Sequence, residues 1–491
     1  RVGCGSKHGM APDRLKLKTL NDNPYSIYEY SKKLIGKSLS EIIPTEIEEM
    51  KGKGKLGQLV EKYFFGYAPN SRSEADFAKA GLELKCTPLK QLNDGHYHIK
   101  ERLVCSMINY DEEQDVNKPF TQSDIYKKCR LMLLLFYLHI SGVDVIDLKF
   151  IYSVLWSLPE KDLLIIEQDY KKIVEKISTG HAHELSEGDT TYLGACRKGQ
   201  KGDPDVNYKL KNGSIPPPAP KRAFSLKTQY MRTILKYAEE HNTHGAVSNV
   251  SQFVNKRNEK KTSELVSVDE LRERDFETIL LDRFTPYYGM NYRQICKALG
   301  AKEHPTAKNK YAILSNDIIT EDKTRGTNSE KSEEFIKSGI IMKTIRVSRS
   351  GKIAEAMSFE NINYNEIVDE EWFSSRLYEL FTSQFLMVVY KQDDNDDDVY
   401  TLAKAFFWTM PQKDLDDAAR FWSNIKGNVI ESHIEPKYFY RESDGLKFHV
   451  RPKGKDAQDK VLAPDGQLHK KYCYWFNKNY VKEILSEKKL I

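Results

Sequence analysis

The 491-residue chain is short of the features that mark several broad protein classes. It has 7 Cys (Cys4, Cys86, Cys105, Cys129, Cys196, Cys296 and Cys473), an odd number with no C-x-x-C pair, which argues against a zinc knuckle, a redox dithiol motif and a secreted disulfide framework. No apolar run approaches the roughly 18 residues that a membrane-spanning helix needs. Arg1 to Pro12 mixes Gly, Lys and His where a secretory leader would carry an apolar core. The expectation is a soluble, cytoplasmic protein with scattered reduced thiols and no membrane contact. Histidine offers little: His96 and His98 flank Tyr97, and His181 and His183 form a second pair, but neither pair has a third metal ligand nearby. Ser73 and Ser225 lack a Ser/His/Asp arrangement, which sets aside serine-hydrolase chemistry. A large excess of one charge is also missing, since 76 Lys and Arg against 71 Asp and Glu leave only +5.

What is present is apolar and aromatic. Hydrophobic residues make up 40% of the chain, with 28 Tyr and 21 Phe, and this length and composition suit two or more globular domains. The mild basic excess is unevenly spread. From Arg197 to Lys236 there are ten Lys or Arg against two acids, Asp203 and Asp205, together with Gly199, Gly202, Gly213 and Pro216-Pro217-Pro218. This reads as a basic surface loop feeding a final helix, suited to a polyanion. The polar stretch 241–269 reads as a linker. The expected organisation is an N-terminal arm (1–24), a first domain (25–240), the linker and a second domain (270–491). Asp393 to Asp398 is an acidic run expected at a solvated hairpin tip.

Periodicity places the elements. Leu56, Leu59, Val60, Tyr63 and Phe64 recur at helical spacing and form one stripe, with Glu61 beside it, within a helical stretch expected over 38–67. Gly81-Leu82-Glu83-Leu84-Lys85 alternates with period two, so Glu83 and Lys85 share one face of a strand. Pro88 is expected to end or edge that strand, Asn93-Asp94-Gly95 to turn the chain, and Arg102 to Cys105 to resume as the next strand of a meander. Lys128 to Ile140 reads as a buried element and 160–180 as an amphipathic helix.

The chain also repeats itself. Gly36-x5-Ile42 returns as Gly289-x5-Ile295, and Asp76-Phe77-Ala78-Lys79-Ala80-Gly81-Leu82-Glu83-Leu84-Lys85 as Glu334-Phe335-Ile336-Lys337-Ser338-Gly339-Ile340-Ile341-Met342-Lys343. Arg197-Lys198-Gly199 meets Arg451-Pro452-Lys453-Gly454, and Tyr230-Met231-x-x-Ile234-Leu235 meets Tyr480-Val481-x-x-Ile484-Leu485. Four blocks in one order at a nearly constant offset imply tandem copies of one domain. The second copy carries Ile341 at the position of Glu83 and Asn316 opposite Glu61. An apolar group cannot ligate a hard cation, so the second copy is expected to bind without catalysing.

Asp76-x6-Glu83-x-Lys85 is a metal-nuclease constellation on physical grounds. Carboxylates at a strand end are hard oxygen ligands for Mg²⁺, and a lysine on the same face balances phosphate charge or orients a water. Alone, the pattern arises about once by chance in a chain this acidic. Its context carries more weight: Lys53-Gly54-x-x-Gly57-x-Leu59-x-Glu61 before it, and the basic loop after it.

These motifs, with Leu82-Glu83-Leu84-Lys85-x-x-Pro88, Tyr192-Leu193 with Arg197-Lys198, and Phe224-x-Leu226-Lys227-x-x-Tyr230, resemble the MutH mismatch-repair nickase and the related Sau-three-A-type restriction endonucleases of the PD-(D/E)XK superfamily. The resemblance covers about residues 25–240. The second half resembles the degenerate MutH-like domain of the larger restriction enzymes. It implies an α/β (α+β) fold, with two tandem domains that each have a central mixed sheet flanked by helices. It implies catalytic roles for Glu61, Asp76, Glu83 and Lys85, with Asp76, Glu83 and Glu61 as metal ligands, Mg²⁺ as cofactor, and Lys127 as a further active-site lysine in a slot that Lys128 also fits. It implies double-stranded DNA containing GATC as substrate, cut 5′ of the G, and a cognate DNA methyltransferase as a genetic partner; since a palindromic duplex needs two cuts and the chain offers one site, either self-association on DNA or cutting of the strands in sequence is expected. Lys53, Lys55, Lys221, Lys227 and Tyr230 are expected at the DNA, with Arg197, Lys198, Arg451 and Lys453 on bases or phosphates. A strand-specific nickase and a non-cutting DNA-binding regulator remain as alternatives.

Overall fold

The computed structural model describes residues 23–44, 48, 55–67, 74–92, 95–199, 202–242, 264–321 and 328–491. By its contacts the chain divides into two units: residues 1–178, 196–215 and 220–261, and residues 179–195, 216–219 and 262–491. The Asn93-Asp94 part of the expected turn and most of the 241–269 linker lie outside the described residues.

The first unit is built on a four-stranded mixed sheet. In chain order its strands are β1 (Glu83–Gln91), β2 (Tyr97–Ile99), β4 (Leu131–Leu138) and β5 (Phe150–Ser157), and their spatial order is β2, β1, β4, β5. β4 runs parallel to β1 and antiparallel to β5. Its central position explains the nearly unbroken apolar run Leu131 to Tyr137: Met132 to Phe136 are fully buried, with no solvent face that would call for alternation. The 19-residue helix Glu160–Ser178 buries Ile165, Ile166, Tyr170, Ile173, Val174 and Ile177, a helical spacing that turns one face to the core. A second sheet has the strand order β3 (Leu103–Met107), β7 (Arg222–Leu226), β6 (Leu193–Arg197), with β3 antiparallel to β7; of β6, Cys196 and Arg197 belong to this unit.

Two expectations are corrected here. Pro88 does not end its strand: β1 runs on to Gln91. The Pro88 carbonyl accepts from Lys100 N–H, so its missing N–H faces the β2 side, where the ladder begins only at Leu89. The segment at 102–105 does become a strand, but it pairs with β7 and not with β2, so there is no meander.

The second unit repeats this plan. β8 (Ile341–Val347), β10 (Phe385–Gln392) and β11 (Tyr400–Trp408) form a sheet with β10 central, parallel to β8 and antiparallel to β11. A 19-residue helix, Gln412–Ile430, follows. β9 (Met357–Asn361), β12 (Phe448–Pro452) and β15 (Tyr472–Phe476) form the second sheet with β15 central, as β7 is in the first unit. A small hairpin, β13 (Lys460–Leu462) and β14 (Leu468–Lys470), is inserted before β15. The acidic run 393–398 caps the β10–β11 hairpin, with Asp393 N–H bonded to the Val399 carbonyl. The repeat therefore exists at the level of strand order. A buried contact is repeated as well: Tyr230 donates to Asp162 at 2.6 Å, and Tyr480 to Asp414 at 2.8 Å, each tying the last helix to the start of the 19-residue helix. Among the described residues no helix is long and apolar enough to cross a membrane.

Candidate active site

A turn folds Asp76 back onto β1. Phe77 and Leu82 exchange backbone hydrogen bonds, and Gly81 takes a left-handed φ of +59° at the corner. A side chain at Gly81 would collide with the Arg130 guanidinium. The turn lets Asp76 N–H donate to Glu83 Oε2 (3.3 Å), while Leu84 N–H donates to Asp76 Oδ2 (3.0 Å). The strand's period of two puts Lys85 on the same face as Glu83, with Nζ 2.8 Å from Glu83 Oε1 and 3.4 Å from the Cys105 carbonyl on β3. Glu83 is buried, and its Oε1 also faces Lys128 Nζ at 3.6 Å.

Lys128 comes from the short helix Asp124–Cys129, whose N-terminus is capped by Ser123. Successive helical residues point about 100° apart, so only one of the two lysines can face Glu83. The structure gives that place to Lys128. Lys127 forms no ion pair with these carboxylates among the described residues, which corrects the expected slot.

Glu61 lies on one turn of π-helix, Val60–Phe64, which continues the helix Leu56–Leu59 and closes with Phe65 N–H on the Val60 carbonyl. Such turns are uncommon inside α-helices and frequent at functional sites. Val60, Tyr63 and Phe64 are buried around it, so Glu61 is carried into the interior with only 7% exposure. Its Oε1 has no hydrogen-bond partner. Burial, and then the carboxylates of Asp76 and Glu83, push its pKa up to about 7, against an opposing pull from Lys128 and Lys85. Asp76 is raised for the same reasons, burial first and Glu83 next. Lys85 is held above its ordinary value: burial pushes it down, but the Glu83 carboxylate, with help from Cys105 and Asp76, outweighs this. Lys85 is therefore an ammonium at neutral pH and balances charge; it is not placed to take up a proton.

This donor set fits a hard divalent cation. Glu61 and Asp76 are both raised by burial and by the neighbouring Glu83 carboxylate, and among the described residues Glu61 Oε1 is a buried acceptor without a donor. The expected ligand set of Asp76, Glu83 and Glu61 is not brought together as one preformed group. Among the described residues, no three His, Cys, Asp or Glu side chains converge on one point. Two carboxylates with the remaining positions left to water and substrate is the arrangement Mg²⁺ favours.

The other expected residues divide. Tyr230 is withdrawn as a DNA contact, because it is fully buried and its hydroxyl is bound to Asp162. Arg197 and Lys198 lie half-buried at the end of β6, where Lys198 N–H bonds the exposed Lys221 backbone. Lys55 is exposed and Lys227 half-buried; Lys53 lies outside the described residues. In the second unit Arg451 and Lys453 are exposed, and the Arg451 guanidinium stacks 4.6 Å over Trp475.

The same cluster is dismantled in the second unit. Ile341 stands at the Glu83 position and pairs with Phe385, as Glu83 pairs with Met132. Asn316, opposite Glu61, accepts from Ser329 N–H at 2.7 Å.

The sequence is similar to those of known proteins. The family described as "DNA mismatch repair enzyme MutH" matches residues 65–169 and again 325–417, once in each unit. The type II restriction enzyme Sau3AI of Staphylococcus aureus is 30% identical over 94% of this chain and 98% of its own length. The chain belongs to the MutH-like restriction endonucleases. Two DNA mismatch repair proteins MutH are similar over less of it: that of Shewanella amazonensis is 25% identical over 42% of this chain and 92% of its own, and that of Shewanella woodyi 26% over 38% and 77%. A MutH-like restriction endonuclease with two such domains thus joins one complete carboxylate–lysine cluster to one copy that lacks it.

Proposed function

We propose that this chain is a type II restriction endonuclease that hydrolyses double-stranded DNA at GATC, 5′ of the G, with Mg²⁺, through Glu61, Asp76, Glu83, Lys85 and Lys128 of the first unit. The observation that carries this reading is the contrast between the units: Glu83, buried between Lys85 and Lys128, has become Ile341 in an otherwise repeated sheet. The site preference is taken from the family resemblance.

Asp76 and Glu83 would hold the cation, with Glu61 beside it. Mg²⁺ bound there would polarise the scissile phosphate and acidify a water. The protein supplies the rest. Lys85 and Lys128 offset the charge that builds on the phosphate, and Lys85 is fixed for this by Glu83 and the Cys105 carbonyl. Glu61, with its pKa near 7, is the group best matched to accept a proton at neutral pH. Arg197, Lys198, Lys221 and Lys227 are assigned to the duplex. The second unit binds DNA as a pseudo-partner or an effector, and self-association on DNA brings a second active site to the other strand. A DNA methyltransferase that protects the same sequence is the expected genetic partner.

The test is digestion of a mapped plasmid with Mg²⁺ and sequencing of the ends, with Glu83→Ala as control. Ends at GATC from the wild type alone support the reading; random ends or intact DNA refute it. Stable nicked circles as the final product would favour a strand-specific nickase.

A further inference from the structure

In the second unit two lysines, Lys343 and Lys453, meet at one strand, and among the described residues neither is ion-paired to a carboxylate. Lys343, the counterpart of Lys85, keeps the backbone contact of its relative: its Nζ donates to the Ser358 carbonyl on β9 at 2.6 Å, as Lys85 donates to Cys105 on β3. Lys453 follows directly on β12 and donates to the Phe359 carbonyl at 3.1 Å and to Ser358 Oγ at 3.4 Å. The two ammonium groups thus share one short stretch of β9.

In the first unit the same problem of neighbouring cations is answered by Glu83, which lies between Lys85 and Lys128. Here the answer has been removed. Ile341 replaces Glu83, and Glu334, the counterpart of Asp76, is fully buried with both oxygens accepting from Leu265 N–H and one also from Val266 N–H, each at 3.1 Å. Among the described residues neither Lys343 nor Lys453 forms an ion pair. Burial and the charge of Lys453 pull the Lys343 pKa down to about 8, the response of an ammonium group that lacks an anion.

A cleft of about 760 Å³ opens at Lys343, lined also by Ser358, Asn316, Asn328, Lys308 and Arg346; Lys453 is not in this lining but reaches its Ser358. Three acids also line it. Glu355 is paired with Arg346 at 2.5 Å, and Asp317 and Glu330 do not reach ion-pair distance of either lysine.

The geometry points to a metal-independent site for a backbone phosphate of duplex DNA, formed by Lys343 and Lys453 where the first unit has its carboxylates. This rests on the proposed DNA function of the chain. The anionic oxygens of a phosphodiester bridge two ammonium groups, and with no carboxylate in the way no cation is needed to admit it. The first unit, by contrast, presents acids to DNA until a cation is bound, so binding by the full chain in EDTA should be dominated by the second unit.

The experiment is fluorescence anisotropy of the full-length chain with a GATC-containing duplex, in EDTA, over a range of salt. Lys453→Met, at an exposed position, should weaken binding by about threefold to tenfold and reduce the slope of log affinity against log salt by about 0.9, the value for one lost phosphate contact, with an unchanged unfolding midpoint as the check on the fold. Ile341→Glu, which rebuilds the missing counter-charge beside Lys343, should weaken EDTA binding in the same direction. Wild-type affinity and slope in both variants overturn the site. Thermal stabilisation by millimolar orthophosphate that depends on Lys453, with an unchanged DNA slope, overturns the assignment to DNA. Failure of the wild type to cut at GATC would instead refute the proposed function, whereas a chain that cuts while its variants bind like wild type refutes this inference alone.

Discussion

Replacing Glu61 by Gln removes one titrating proton from the interior and little volume, so the variant isolates what ionisation at this position costs the fold. The Glu61 pKa is near 7 in the folded chain against an ordinary 4.5. Below pH 4.5 the group is protonated both folded and unfolded, and its ionisation costs nothing. As pH rises, the unfolded chain releases the proton while the folded chain retains it, so stability is lost up to about pH 7 and then levels off. At about 1.4 kcal/mol per unit, the raised value corresponds to roughly 3 kcal/mol above pH 7. Glu61→Gln should therefore match the wild type at pH 4.5 and exceed it by up to about that amount at pH 8, measured by urea unfolding in EDTA. Adding Mg²⁺ at pH 8 should return more stability to the wild type than to the variant, because the cation supplies the missing positive charge. A wild-type-to-variant difference that stays constant from pH 4.5 to 8 would refute the account of a buried carboxyl pressed by Asp76 and Glu83.

Lys128→Ala should lower the DNA cleavage rate by about 10²-fold or more through loss of a half-buried positive charge, whereas Lys127→Ala should change it less than tenfold; single-turnover kinetics on one duplex compares them directly. Equal losses would return the active-site lysine to an open choice. Tyr230→Phe should leave DNA affinity unchanged and cost about 1–2 kcal/mol of stability, since Asp162 is fully buried and loses the hydroxyl that donates to it. A drop in affinity without a drop in stability would restore Tyr230 to the DNA interface. Lys85→Met should reduce cleavage at every pH between 6 and 9 by a similar factor, because this lysine stays protonated across that range; a loss confined to high pH would make it a base.

How much of this was legible beforehand follows from the range of each interaction. The alternation of Leu82, Glu83, Leu84 and Lys85 fixes which side chains share a face, because it depends on local backbone geometry, and the apolar run 131–137 marks a buried element. The tandem repeat is likewise written in the order of its motifs, and the loss of Glu83 at Ile341 can be read without coordinates. The partners across space could not be read in this way. Nothing local separates Lys127 from Lys128; that choice was made by the tertiary placement of their helix, which turns Lys128 toward Glu83. Tyr230 has the composition of a DNA contact, and only the packing of the last helix against Asp162 shows that its hydroxyl is engaged. The strand at 103–107 carries the pattern of a meander but pairs with residues 222–226, more than 100 positions away. Sequence by itself determined the order of the repeated motifs and which residue types stand in the first cluster and are lost from the second, since residue type and spacing suffice for both. Tertiary structure alone decided the charge balance of the two clefts, because burial and the distances between distant side chains set whether an acid or a lysine is left without a partner.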